Sequence, residues 1–139
     1  MKRTILSIIA AVATMAAAAQ TLNVEAGSVI YQFPAEQTAQ MAYSDGTSVT
    51  IMNKVFALAD LTRMYVDESE VEDNTVNVTY DGTSARVLVA GNIAQYITAT
   101  VSGAHVSVVQ NSDVAEEITY SLSGSSDDGE FYMEGSYKT

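Results

Sequence analysis

The sequence predicts a mainly β protein: a small antiparallel β module over residues 20–66, an acidic linker over 67–73, and a second β block over 74–139. Three observations lead there. Polar and apolar residues alternate with period two in short runs rich in Val, Ile, Thr and Tyr, the pattern of strands buried on one face. Asp-Gly, Ser-Gly and Gly-Asn pairs interrupt those runs, and such pairs accept the positive φ angles that tight turns demand. Almost nothing after residue 20 repeats with the 3.6-residue period of an amphipathic helix.

The elements follow in order. Thr21 to Glu25 alternates, Ala26-Gly27 breaks the pattern, and Ser28 to Phe33 resumes it until Pro34, which has no N–H to give a ladder. Met41-Ala42-Tyr43, Ser44-Asp45-Gly46 and Thr47 to Met52 read as a hairpin; Asn53-Lys54 turns the chain into Val55 to Leu58. Ala59 to Val66 fits either a short helical turn or another strand. Asp67, Glu68, Glu70, Glu72 and Asp73 crowd the next seven residues, a density that favours solvated chain and sets a module boundary there. In the second block, Val76, Val78 and Tyr80 share one face of a strand, and Arg86 to Ala90 forms a more continuously apolar one. Tyr96 to Val101 and Ala104 to Val109 pair around Ser102-Gly103. Ile118 to Ser123 alternates strictly, Gly124 to Gly129 is a polar loop, and Phe131 to Met133 and Ser136 to Thr139 are the last strands. Tyr80-Asp81-Gly82-Thr83-Ser84 echoes Ser44-Asp45-Gly46-Thr47-Ser48, which fits either an internal repeat or Asp-Gly-Thr as common hairpin punctuation.

Lys2 and Arg3 precede an apolar run from Ile5 to Met15 that ends in four alanines before Gln20, the layout of a secretory signal peptide cleaved after Ala19. The run is short for a membrane span. No cysteine is present, so lipid attachment at the cleavage point and disulfides are both excluded. The expected location is secreted, periplasmic or cell-surface, with no transmembrane segment after cleavage. Removing residues 1–19 leaves Lys54, Arg63, Arg86 and Lys138 against seventeen carboxylates, a formal charge of −13 instead of −11. A surface of that sign repels phosphate backbones, so nucleic acid is not an expected partner.

Catalysis is not expected either. His105 is the single histidine, too few for a Ser-His-Asp array or, without cysteine, for a zinc cage. No Gly-rich phosphate loop precedes a helix. Asp127, Asp128 and Glu130 offer the hard oxygens Ca²⁺ prefers, without the spacing of an EF-hand, so they are weak metal candidates beside the reading as a surface turn. Asn77-Val78-Thr79 matches a glycosylation acceptor in pattern only. Eight Tyr and no Trp suit a sheet bearing flat amphipathic rings. Tyr31, Tyr43, Tyr65, Tyr80, Tyr96 and Tyr120 read as packing residues, whereas Tyr132 and Tyr137, in a polar segment, are weak candidates for stacking on sugar.

The run Asn74 to Ala85, the strand Val106 to Val109, and Ile118 to Phe131 with its Tyr120-Ser121-Leu122-Ser123-Gly124 core together resemble the opening of the carbohydrate-binding domain proteins of polysaccharide-degrading anaerobic bacteria. The resemblance covers residues 74–139 and rests on strand and turn patterns. It implies a β-sandwich-like cap or first coils of a right-handed parallel β-helix related in shape to pectate lyases. It also implies a non-catalytic role in binding acidic plant polysaccharide such as polygalacturonate, with Ca²⁺ as a possible cofactor. No ligand position of that family maps onto this chain. A β-helix needs about three stacked coils and residues 74–139 offer about two, so the chain reads as an N-terminal portion of a longer protein. The alternative role is that of a structural or adhesive cell-surface module, motivated by exposed strand edges.

Overall fold

The computed structural model describes residues 20–38, 41–52, 54–68, 74–111, 114 and 116–135. The expected signal peptide, residues 69–73 of the acidic linker, Asn53 and Tyr137 lie outside them. The described residues form twelve strands: β1 (Thr21–Ala26), β2 (Val29–Pro34), β3 (Ala42–Ser44), β4 (Ser48–Ile51), β5 (Lys54–Ala57), β6 (Arg63–Asp67), β7 (Thr75–Asp81), β8 (Ser84–Ala90), β9 (Ile97–Ser102), β10 (His105–Gln110), β11 (Thr119–Ser125) and β12 (Glu130–Glu134). Single 3₁₀ segments cover Ala35–Gln37, Leu58–Asp60 and Gly91–Tyr96. The mainly β expectation holds.

Alternation decides each strand's faces. In β7, Val76 and Val78 are buried while Thr79 is exposed; in β10, Val106 and Val108 are buried while His105 and Val109 are exposed. The ambiguous stretch from Ala59 contains both readings in sequence, since a 3₁₀ turn ends at Asp60 and a strand begins at Arg63. The polar loop expected at Gly124 starts later: β11 runs through Gly124 and Ser125, because Gly124 adopts φ +85° and lets the strand cross tightly over Tyr80. The two Asp-Gly-Thr-Ser copies also fold differently. Asp45 and Gly46 both take positive φ, whereas in the second copy Gly82 does and Asp81 ends a strand paired to Ser84.

The strands assemble into three sheets, with orders β11-β7-β8-β2-β1-β6, β12-β10-β9 and β3-β4-β5. Strand β2, from before the acidic linker, pairs in parallel with β8, from after it. Strands β1, β2 and β6, before the linker, and β7, β8 and β11, after it, therefore share one sheet and one core instead of forming the two modules that the charge pattern suggested. A run of like charges between them does not prevent the strands on either side from pairing.

The inner face of the six-stranded sheet carries Leu22, Val24, Tyr31, Phe33, Met64, Val76, Val78, Val87 and Val89. The two smaller sheets cover it with Val49, Ile51 and Phe56 on one side and Ile97, Ala99, Val106 and Val108 on the other, in one continuous apolar cluster. With no cysteine to cross-link the layers, removal of this surface from water is the main stabilising term. The joints are specific nonetheless. The buried Tyr31 hydroxyl accepts from the Ala99 N–H at 2.9 Å and lies 3.4 Å from the Ala99 carbonyl, tying β2 to β9. The Phe56 ring meets Tyr31 and Phe33 edge-on at 5.3 and 6.2 Å, holding β5 on β2.

Strands β11 and β12 are joined by residues 126–129 yet enter different sheets. Here β11 pairs in parallel with β7 and β12 in parallel with β10. Three of their residues extend the core outward, Tyr120 beside Val76, Phe131 beside Val106 and Met133 beside Val108, whereas Leu122, beside Val78, stays exposed. Tyr120 and Phe131 close the space between the sheets at 5.6 Å.

Candidate functional site

The outer face of the six-stranded sheet gathers most of the polar chemistry. One row crosses all six strands in register: Arg63, Glu25, Ile30, Leu88, Asn77 and Ser121 on β6, β1, β2, β8, β7 and β11. Five inter-strand steps make such a row about 24 Å long. Beside it stand Tyr65 on β6, and Arg86, Thr79 and Ser123 paired across β8, β7 and β11. All of these except Ser121, together with Gly27 and Ser28 of the β1–β2 turn, line a recess of about 760 Å³, within the range of small-ligand sites.

Its walls differ in character. On one side the Arg63 Nε donates to Glu25 Oε2 at 2.8 Å, and the Arg63 guanidinium lies 4.5 Å from the centre of the Tyr65 ring. The hydrogen bond and charge of Glu25 keep Arg63 firmly protonated. Partial burial, then the Glu25 charge, raise the Tyr65 hydroxyl above the usual tyrosine range, so it stays a neutral donor. On the other side Arg86 is exposed and has no ion pair among the described residues. Half-buried Ile30 and Leu88 form an apolar floor between the two arginines. Deeper in the same face, the Gln32 side-chain amide donates to Asn23 Oδ1 at 3.0 Å, a buried polar pair that fixes the β1–β2 register.

The residues singled out from sequence are placed elsewhere. Tyr132 lies on β12, 57% exposed, and its hydroxyl donates to Glu134 at 3.3 Å. It borders a recess of about 300 Å³ with His105, Glu130, Val106 and Ser107. Tyr137 is outside the described residues. Asp127 and Asp128 sit in the bend between β11 and β12, where the Ser126 hydroxyl reaches Asp128 Oδ1 at 3.4 Å. Glu130 turns instead to His105, 3.2 Å away across the β10–β12 pair. These three carboxylates do not converge on one point as a Ca²⁺ cage, and among the described residues no group of three His, Cys, Asp or Glu does. Of the tyrosines read as packing, Tyr31 is buried and Tyr80 donates to the Glu130 carbonyl at 2.8 Å, whereas Tyr65 belongs to the polar recess.

Arg63 and Arg86 are what the sequence reading passed over. A signal existed, since they are half of the four cations outside the leader of a strongly acidic chain. Strand order was needed to put residues twenty-three apart on one face.

Comparison of the chain with models of protein families, with curated proteins and with solved structures gives no match. Among the described residues no helix is long and apolar enough to cross a membrane.

Proposed function

We propose that this protein is an exported, non-catalytic binder of acidic plant polysaccharide, and that the sugar chain lies along the outer face of the six-stranded sheet. One observation carries the reading: Arg63 and Arg86 flank an apolar Ile30–Leu88 floor beside Tyr65, on a face whose other polar side chains include Asn77, Thr79, Ser123 and the Arg63-paired Glu25. A uronate residue has the complementary groups. Its carboxylate suits a guanidinium, its C–H face suits the aliphatic floor and the tyrosine ring, and its hydroxyls suit the amide and hydroxyl side chains. Arg86 has no competing carboxylate partner among the described residues and is the primary anchor; Arg63, already held by Glu25, is the secondary one. The resemblance of residues 74–139 to a polygalacturonate-binding family points to the same ligand. Strands β11 and β12 add in parallel to β7 and β10, but β7 and β10 pair antiparallel with β8 and β9, so the pairing supports the β-sandwich-like cap of that resemblance and not stacked parallel coils.

Affinity electrophoresis of the purified protein through gels containing polygalacturonate, its fully methyl-esterified form, or a neutral glucan tests the reading. Retention by polygalacturonate alone, weakened by salt, is expected, because Arg63 and Arg86 meet its carboxylates locally, against the repulsion that the chain's net negative charge exerts on any polyanion. Arms with Ca²⁺ and with EDTA separate direct Arg–carboxylate binding from metal bridging. Equal migration in all gels, with and without Ca²⁺, refutes it.

A second role, structural or adhesive, is favoured by the outer edges of β11 and β12. Thr119 N–H donates to Asn74 and Ser125 C=O accepts from Gly82, so strand alternation turns the backbone groups of Tyr120 and Leu122 away from β7. Leu122 is 48% exposed there. An edge of this kind accepts a further strand. Sedimentation at rising concentration tests it: a strict monomer that pairs with no surface protein leaves this second role without support.

A further inference from the structure

A second recess of about 510 Å³, sharing only Gly27 and Ser28 with the arginine face, opens where the three sheets meet, bounded by the β1–β2 turn, β5 and β9. Its charged centre is Lys54. The Lys54 ammonium donates to the Ile97 carbonyl at 2.7 Å and to the Thr98 hydroxyl at 2.9 Å, and lies 4.8 Å from the Tyr31 ring centre. Two of its three N–H groups are thereby used on neutral oxygens. No carboxylate lies within ion-pairing distance of it among the described residues; Asp60 borders the same recess without reaching it. A half-buried ammonium with a free N–H and no counter-charge is electrostatically incomplete. Partial removal from water lowers its pKa, which is the sign of that incompleteness. Around it the recess offers apolar surface at Val55, which is 64% exposed, and hydroxyls at Ser28, Thr98 and Thr100.

We propose that this recess is a second binding site, for a small organic carboxylate, with Lys54 supplying the charge that the carboxylate completes. The mixture of a single cation, an aliphatic wall and scattered hydroxyls selects a ring-bearing, hydroxylated acid of uronic acid size over inorganic anions, which gain nothing from Val55. The site shares no charged residue with the arginine face, so it goes beyond the polysaccharide reading and stands or falls separately from it.

Titration of ¹⁵N-labelled protein with galacturonic acid, and in parallel with its methyl ester, tests the proposal by amide shifts. Saturable shifts at Lys54, Val55, Thr98 and Thr100, which line this recess and not the arginine face, are expected with the acid and not with the ester. K54M, which keeps the aliphatic stem, weakens those shifts at least tenfold in apparent affinity while any shifts at Asn77, Thr79 and Arg86 persist. R86Q does the reverse. Absence of shifts around Lys54 with the acid, or equal shifts with acid and ester, overturns the second site. Because the acid–ester comparison uses the unaltered protein, the test survives even if K54M fails to fold. Shifts confined to the Arg86 side overturn the Lys54 site while leaving the polysaccharide reading intact.

Discussion

The lysine at the junction of the three sheets makes stability depend on pH in a direction opposite to that of most lysines with a carboxylate partner. Lys54 is moved from 10.5 down to about 8 because the fold withdraws its ammonium from water. Between those values the unfolded chain holds a proton that the folded chain has released. Stability therefore rises with pH across that window, and the penalty of folding a charged lysine is present in full below about pH 8. The full shift converts to about 3 kcal/mol as an upper bound. Side-chain exposure, the two accepting oxygens and the rings of Tyr31 and Phe56 favour the ammonium and reduce the effect to about 1 kcal/mol between pH 8 and 9.5. The window closes near pH 10, where Tyr31, raised by burial, begins to penalise folding as its unfolded counterpart ionises. No cysteine titrates in between. Urea unfolding followed by far-UV circular dichroism at pH 7, 8, 9 and 9.5 measures the effect, with K54M as the control. A midpoint that is flat or falls from pH 8 to 9.5, or one that rises equally in K54M, refutes the argument.

Three further outcomes are expected. R86Q lowers affinity for polygalacturonate about tenfold and flattens its salt dependence, whereas Tyr132→Ala leaves both unchanged, as measured by affinity electrophoresis at two ionic strengths. Tyr31→Phe removes the hydroxyl that serves Ala99 and leaves a buried N–H without its partner; it costs about 1–3 kcal/mol in urea unfolding with the fold retained. In Gly124→Ala, a Cβ would meet the Tyr80 carbonyl oxygen in a backbone conformation that alanine resists; exchange protection at the amides of β11 is lost while that of β1 and β2 persists.

Much of the strand layout was legible because burial on one face imposes period two on the side chains. Thr75 to Asp81 and Ala104 to Gln110 show it plainly, and turns fall where Asp-Gly and Ser-Gly allow positive φ. The 3₁₀ segment at Gly91–Tyr96 was not legible, since six residues are too few for a period to show. The reading of Tyr65 as a packing residue illustrates the same limit at the candidate site. A ring on an edge strand looks alike in sequence whether it meets a core or a polar trough, and only β1 with its Glu25 beside Arg63 distinguishes the two.

By itself the sequence determined that this chain is β-rich, acidic and without cysteine, because composition and alternation are properties of adjacent residues. It could not determine that β2 lies beside β8, or that Arg63 and Arg86 share a face while Lys54 sits at a junction without a counter-charge. Those facts depend on which strand edges meet across the acidic linker. Backbone hydrogen bonds are nearly the same for any partner strand, so the choice is made by how the whole set of apolar faces closes into one core.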